Sequence, residues 1–144
     1  MRPSAPTFVI GKSDGGPGTW KKAAIPAKGA DYQQRVTGAP KGIEYFVNTS
    51  VIPGGVKKFD GYDPQRNVLI DAKDWSGWPP TNKTGKTHKW ATDEIVKDAR
   101  AQSDISKQIG IKVEWCVPTQ EKANEIRDLL KDGKIEGIVI RVFP

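Results

Sequence analysis

The sequence predicts an α/β sandwich built on a mixed sheet, and three observations carry that assignment. Three strand-like runs, at 43–48, 56–60 and 68–73, follow one another across the turn signals Pro53-Gly54-Gly55 and Asp63-Pro64-Gln65-Arg66-Asn67. Beyond residue 92 the period changes, with Ile95, Ala99, Ser106 and Ile109 recurring at helical spacing. From Gly110 onward strand and helix alternate: a strand at 111–117, a helix from Thr119 through Leu130, and a last strand carrying Ile138, Ile140 and Val142.

Each element has a local reason. Residues 1–30 are rich in Gly, Pro, Ser and Lys, and residues 1–26 read as a flexible segment or linker, with a possible short strand at 7–10. A short helix is predicted at 27–36, stopped by Gly38 and Pro40. Two successive hairpins over 43–73 predict an antiparallel meander, and 76–89, full of Trp, Pro, Gly, Thr and Lys, reads as a long loop. Gly110 closes the helix at 92–109. Thr119, after Pro118, caps the next helix, whose apolar face is Ala123, Ile126 and Leu130, and Gly133 closes it.

Composition narrows the function classes. A chain of 144 residues is one domain's length, and 36% hydrophobic residues with five Trp supply a core. Lys and Arg number 23 against 17 Asp and Glu, a formal charge of +6 that favours polyanions such as nucleic acid or acidic membranes, though a soluble protein can also simply be basic. One cysteine, Cys116, excludes a disulfide framework, and its place in an apolar run predicts a small buried side chain. A single histidine, His88, argues against His-rich metal sites. No stretch approaches the roughly 20 apolar residues of a membrane span, and no export signal is visible at the N-terminus.

The residues that carry chemistry centre on the run Val68-Leu69-Ile70-Asp71-Ala72-Lys73. Side chains alternate faces along a strand, so Val68, Ile70 and Ala72 are expected to face the core. Asp71 and Lys73 would then share the other face with Leu69, about 7 Å apart. Asp60 ends the preceding strand and returns towards them across the hairpin. Two carboxylates can hold Mg²⁺ or Mn²⁺ through hard oxygen ligands and leave positions for water and phosphate. A lysine beside them can orient or help deprotonate the attacking water, and it offsets charge on phosphate. An isolated Asp-x-Lys is also an ordinary surface pair; the second Asp and the apolar run leading into Asp71 favour the site.

Other signals are weaker. Gln102 falls on the helix face meant for the sheet, where a polar side chain needs a partner, and nearby backbone could supply one. Gly85-Lys86-Thr87 fails as a phosphate-binding loop because the required glycine is Pro80. After the catalytic strand, Trp75, Trp78, Lys83, Lys86, His88, Lys89 and Trp90 interleave cations with aromatics. Such a loop can hold phosphates and stack a base, or be a solvated loop whose tryptophans pack inward.

Asp60 followed one hairpin later by Asp71-Ala72-Lys73 resembles the PD-(D/E)XK motif of restriction-endonuclease-like nucleases. The ordered set Tyr32-Gln33-Gln34-Arg35-Val36-Thr37-Gly38, Lys58-Phe59-Asp60-Gly61-Tyr62, Asp71-Ala72-Lys73 and Val113-Glu114-Trp115 resembles the fifth restriction-endonuclease-fold toxin family of bacterial polymorphic toxins, from about Tyr32 to the C-terminus. That resemblance implies a mixed central sheet with helices on both faces and a nuclease toxin domain over residues 27–144. It implies metal ligation by Asp60, Asp71 and the Ala72 carbonyl, with Lys73 serving the water. An acidic residue common on the first helix is missing; Gln33 and Gln34 stand there, and either Glu44 or Gln33 takes its place. The resemblance adds Arg100 and Gln102 as a pair before the Glu-Trp strand, making Gln102 a catalytic candidate; Arg100 joins Trp78, Lys83, Lys86 and Lys89 of the cation–aromatic loop as candidates for nucleic-acid contact. It further implies DNA as substrate, a cognate immunity protein, a larger secreted carrier and action in a target cell's cytoplasm. The same fold acting on RNA, or a non-catalytic basic binding module, are the alternatives.

Overall fold

The strand predicted at 56–60 ends one residue early, and that break divides the sheet structure in two. In a computed structural model, which describes residues 5–144, β1 (Gly18–Lys22), β2 (Ile43–Asn48) and β3 (Val56–Phe59) form an antiparallel three-stranded sheet. The chain then crosses at Asp60 into β4 (Gly61–Asp63), which pairs antiparallel with β5 (Val68–Ala72). Strands β6 (Lys112–Val117) and β7 (Ile138–Val142) extend that second sheet in parallel, giving the order β4-β5-β6-β7. The expected single meander is therefore two hairpins in two sheets. The local cause is visible at Gly61: a Cβ there would come within 2.9 Å of Thr37 Cγ2, so only glycine lets the backbone turn beneath the first helix.

Three helices cover the mixed sheet. Helix α1 (Ala30–Thr37) packs on β4 and β5 and stops at Gly38, whose φ of 75° belongs to the left-handed region and whose N–H bonds the Gln34 carbonyl. Helix α2 (Lys89–Ile109) and helix α3 (Gln120–Asp132), the latter capped by the Thr119 hydroxyl on the Lys122 N–H, pack against each other and against β6 and β7. Crossovers through α2 and α3 are what parallel pairing requires. Side-chain alternation places α1 on one face, over Ile70, and α2 on the other, over Leu69 and Trp115. This is the restriction-endonuclease-like sandwich the resemblance implies. No helix among the described residues is long and apolar enough to cross a membrane.

Part of the expected N-terminal linker is built into the fold. Trp20 of β1 is fully buried, pairs with Tyr45 across the strands at 4.9 Å between ring centroids, and takes Phe8 against its other side at 5.1 Å. Burying each such ring stabilises the fold by about 1.5–3 kcal/mol, which anchors a segment whose Gly-Pro composition reads as loop. The strand suggested at 7–10 does not form.

Candidate active site

Asp71 and Lys73 share the face of Leu69 as expected, but that face is covered as well. Leu69 is fully buried and Ile70 is 4% exposed, so both faces of β5 are covered and neither is a solvated one. Asp71 and Lys73 point to the α2 side, and Asp71 is only 8% exposed. Parallel strands covered on both sides read as continuous apolar runs, which is why alternation does not identify the wet face here.

Beneath α2, Asp71 enters a closed set of hydrogen bonds. Gln102 Nε2 donates to Asp71 Oδ2 at 2.5 Å, while Gln102 Oε1 accepts from Trp115 Nε1 at 2.7 Å. The fully buried Gln102 is thereby satisfied at both ends of its amide, by side chains rather than by backbone, and fixes the rotamer of Asp71. No described residue donates to the other Asp71 oxygen. Lys73 Nζ lies 3.5 Å from Asp71 Oδ2 and 3.3 Å from Asp98 Oδ2, above the rings of Trp115 and Trp75. Burial alone would lower its pKa, but the charges of Asp71 and Asp98 outweigh burial and raise it, so the ammonium stays charged.

Asp60 sits where the two sheets part. Its Oδ2 accepts the Ala72 N–H at 2.7 Å, a side chain standing in for a strand partner at the point where β3 has ended. Burial, then the Asp71 charge and the neighbouring Glu44, push the Asp60 carboxyl up to about 8 against the opposing Ala72 hydrogen bond. Glu44, from β2, accepts from Gln33 Nε2 at 3.0 Å through Oε1. Its Oε2 is buried without a hydrogen-bond donor; Lys58 Nζ, at 3.3 Å, pairs with it in charge but not in hydrogen-bond geometry. The two replacements considered for the missing helical acid, Glu44 and Gln33, thus stand together. A cleft of about 760 Å³ opens over them, lined by Gln33, Glu44, Lys58, Asp60, Ala72 and Lys73 among others.

These residues fit a divalent cation. Crowded carboxylates, one orphaned oxygen and a carboxyl forced towards protonation are what a hard cation relieves. Among the described residues no three acidic, histidine or thiol side chains converge tightly enough to enclose an ion unaided. An open set of two carboxylates and a main-chain carbonyl suits Mg²⁺, which keeps several water and substrate oxygens.

The other candidates are scattered more widely. Trp78 packs on Trp75 at 4.9 Å, and Trp75 on Trp115, so these two rings turn inward and wall the lysine rather than lie open. Lys83 and Lys86 are exposed on the loop; Lys89 is exposed and paired with Asp93. Arg100 lies on the outer side of α2, donates to the Gly133 carbonyl at 3.3 Å and does not line the cleft. Trp90, 55% exposed with His88 stacked beside it, is the open aromatic of this region. Cys116 is fully buried, and burial and the Glu114 charge push its thiol up to about 12, so it is no nucleophile. Asp98 escapes the sequence reading, although it stands four residues before Gln102 and so on the same helix face.

The family model of restriction endonuclease fold toxin 5 matches residues 29–120, from the N-cap of α1 to the start of α3. No curated protein matches the chain.

Proposed function

Because the chain belongs to the restriction endonuclease fold toxin 5 family, we propose that it is a metal-dependent endonuclease toxin that hydrolyses phosphodiester bonds in DNA. The observation that carries this reading is the junction of the two sheets. There Asp60, Glu44 and a charged Lys73 line an open cleft, with the Asp71 charge close enough to act on Asp60 and Lys73.

Each residue has a task that its contacts support. Asp60, Asp71 and the Ala72 carbonyl would hold the ion. Bound there, Mg²⁺ or Mn²⁺ supplies Lewis acidity towards the scissile phosphate and charge to acidify water. Gln102 fixes Asp71 so that its free oxygen is presented rather than rotated away. Lys73, kept charged, donates hydrogen bonds to the incoming water and to a phosphate oxygen; in this state it has no lone pair with which to act as base. Glu44, tied to Gln33, supplies the remaining negative charge at the cleft floor. The water oxygen bonds to phosphorus and gives up a proton to solvent, the ester P–O bond breaks, and the leaving oxygen takes a proton from solvent. Lys28, Lys58 and Lys73 around the cleft attract the polyanion.

A toxin of this kind acts in the cytoplasm of a target bacterium after delivery on a larger secreted carrier. Its producer needs an immunity protein, one with an acidic surface to meet the basic face.

Supercoiled plasmid incubated with the purified chain and Mg²⁺ is expected to be nicked. EDTA and the Lys73→Ala variant are each expected to stop the reaction. Cleavage that survives either one would remove Lys73 or the metal from the mechanism, and cleavage of RNA alone would change the substrate.

A further inference from the structure

We propose that Asp98 is the positioning residue that holds the Lys73 ammonium at the cleft while the Asp71 carboxylate is engaged by a cation, an inference that rests on the nuclease reading above. Lys73 has two anionic neighbours, Asp71 Oδ2 at 3.5 Å and Asp98 Oδ2 at 3.3 Å. Only the second is free of any part in binding metal. When a divalent ion takes up the negative charge of Asp71, the lysine loses attraction on that side and meets repulsion from the ion. Asp98 then supplies the counter-charge that keeps the ammonium over the indoles of Trp75 and Trp115.

The fold builds this contact as one rung of a two-rung ladder. Helix α2 returns antiparallel to β5, since β5 and β6 run parallel across it. Asp98 and Gln102 are one turn apart, an advance of about 6 Å; Lys73 and Asp71 are two strand residues apart, about 6.6 Å. The matched rises set Gln102 opposite Asp71 and Asp98 opposite Lys73. The second Asp98 oxygen accepts from Lys57 Nζ at 3.3 Å, which ties β3 of the other sheet to α2. Burial would raise the Asp98 pKa, yet the two lysines hold it below the ordinary carboxylate range, so it remains an anion beside them.

The Lys57 contact separates positioning from a merely structural role. In the full chain, Asp98→Asn is expected to lower kcat for plasmid nicking by about 10–100-fold with KM within about twofold, the size of effect seen when a supporting group is lost. Asp98→Glu should recover part of that loss, and Lys57→Ala should stay near wild type. Independently of activity, reductive methylation of Lys73, read by mass spectrometry with Mg²⁺ present, should be several times faster in Asp98→Asn. If Lys57→Ala reproduces the loss, Asp98 serves the junction between sheets and the proposal is wrong. Unchanged methylation of Lys73 in Asp98→Asn also overturns it, whether or not the wild-type chain cleaves DNA.

Discussion

The two faces of the four-stranded sheet each bury a carboxylate, and they treat it in opposite ways. On the α1 side, Glu114 is 5% exposed and receives Arg66 as a two-pronged partner at 2.5 and 3.0 Å, with Arg141 Nη1 at 3.4 Å and the Cys116 thiol at 3.5 Å. Arg66 is itself shared with Asp63. On the α2 side, Asp71 receives one amide hydrogen bond and one lysine at 3.5 Å, and it faces a second carboxylate instead of a guanidinium. The first carboxylate has no unmet capacity, so it serves the fold. The second retains negative charge and a free oxygen, which is what a cation and a phosphate require. Burial alone does not mark a catalytic acid; incomplete neutralisation does.

Neutralising each carboxylate with its isosteric amide is the strongest way to break this comparison. Asp71→Asn is expected to reduce plasmid cleavage by at least about 10²–10³-fold, the scale of removing one charged group from a reaction centre. Its metal-free stability should remain close to wild type, because Gln102 can still bond the amide oxygen and the repulsion with Asp60 disappears. Cleavage rates together with urea unfolding of the metal-free protein check both halves. A large loss of stability here would mean that Asp71 is structural after all.

Glu114→Gln should show the reverse pattern. Removing the charge from a buried, doubly bonded carboxylate leaves Arg66 with Asp63 alone. Because Arg66 is 40% exposed along its side chain and can turn to water, the expected cost is about 1–3 kcal/mol, below that of a fully buried pair. The rate per folded molecule should be unchanged. Urea midpoints with and without the substitution, and cleavage normalised to folded protein, would expose any catalytic part played by Glu114.

The same contrast has a pH signature. Burial works to raise the Glu114 pKa, but the Arg66 hydrogen bonds and charge outweigh it and hold it below the ordinary glutamate value. A depressed folded pKa means that this stabilisation is complete above the unfolded value, about 4.3, and is lost as pH falls through the folded value beneath it. Wild type should therefore lose stability in acid more steeply than Glu114→Gln. Unfolding free energies measured down through that window should converge as pH falls, and parallel curves would show that Arg66 does not hold the charge.

How much of this was legible in the sequence depends on which interaction sets each feature. Strands β2, β3, β5, β6 and β7 and the two long helices follow from periodicity and punctuation and form within a few residues of expectation, whereas the three-residue β4 falls where the sequence reads as the start of a turn. The Asp60, Asp71 and Lys73 set was recognisable as a motif, and Gln102 as a polar residue on a core-facing stripe. Strand β1 was not, because only Trp20 among Gly18-Thr19-Trp20-Lys21-Lys22 is a large apolar residue, and its anchorage is a tertiary contact with Tyr45. The alternation of β5 holds, but the covering of its second face is not foreseen, although Val68-Leu69-Ile70 carries the signal of a strand buried on both sides. Asp98 carries no signal of its own in the sequence; what makes it part of the site is the register between α2 and β5, which no local pattern contains.

The smallest expected effect concerns the loop between β5 and α2, and it sharpens the contrast between groups that do chemistry and groups that gather substrate. Lys83 and Lys86 are exposed on that loop, while Trp75 and Trp78 are packed together beside Lys73. If the lysines meet phosphates, each one releases about one counterion on binding, so every lysine removed should flatten the dependence of log affinity on log salt by about 0.9. Lys83→Ala with Lys86→Ala should therefore raise KM a few-fold at moderate salt and leave kcat alone. Arg100→Ala, remote from the cleft with its guanidinium on a carbonyl of the α3 cap, should change neither the slope nor the rate. A salt slope unmoved by the double lysine variant would assign the DNA path to the other cations of the cleft, Lys28 and Lys58. It would also leave the loop with only the task of carrying Trp75 and Trp78 into place beside Lys73.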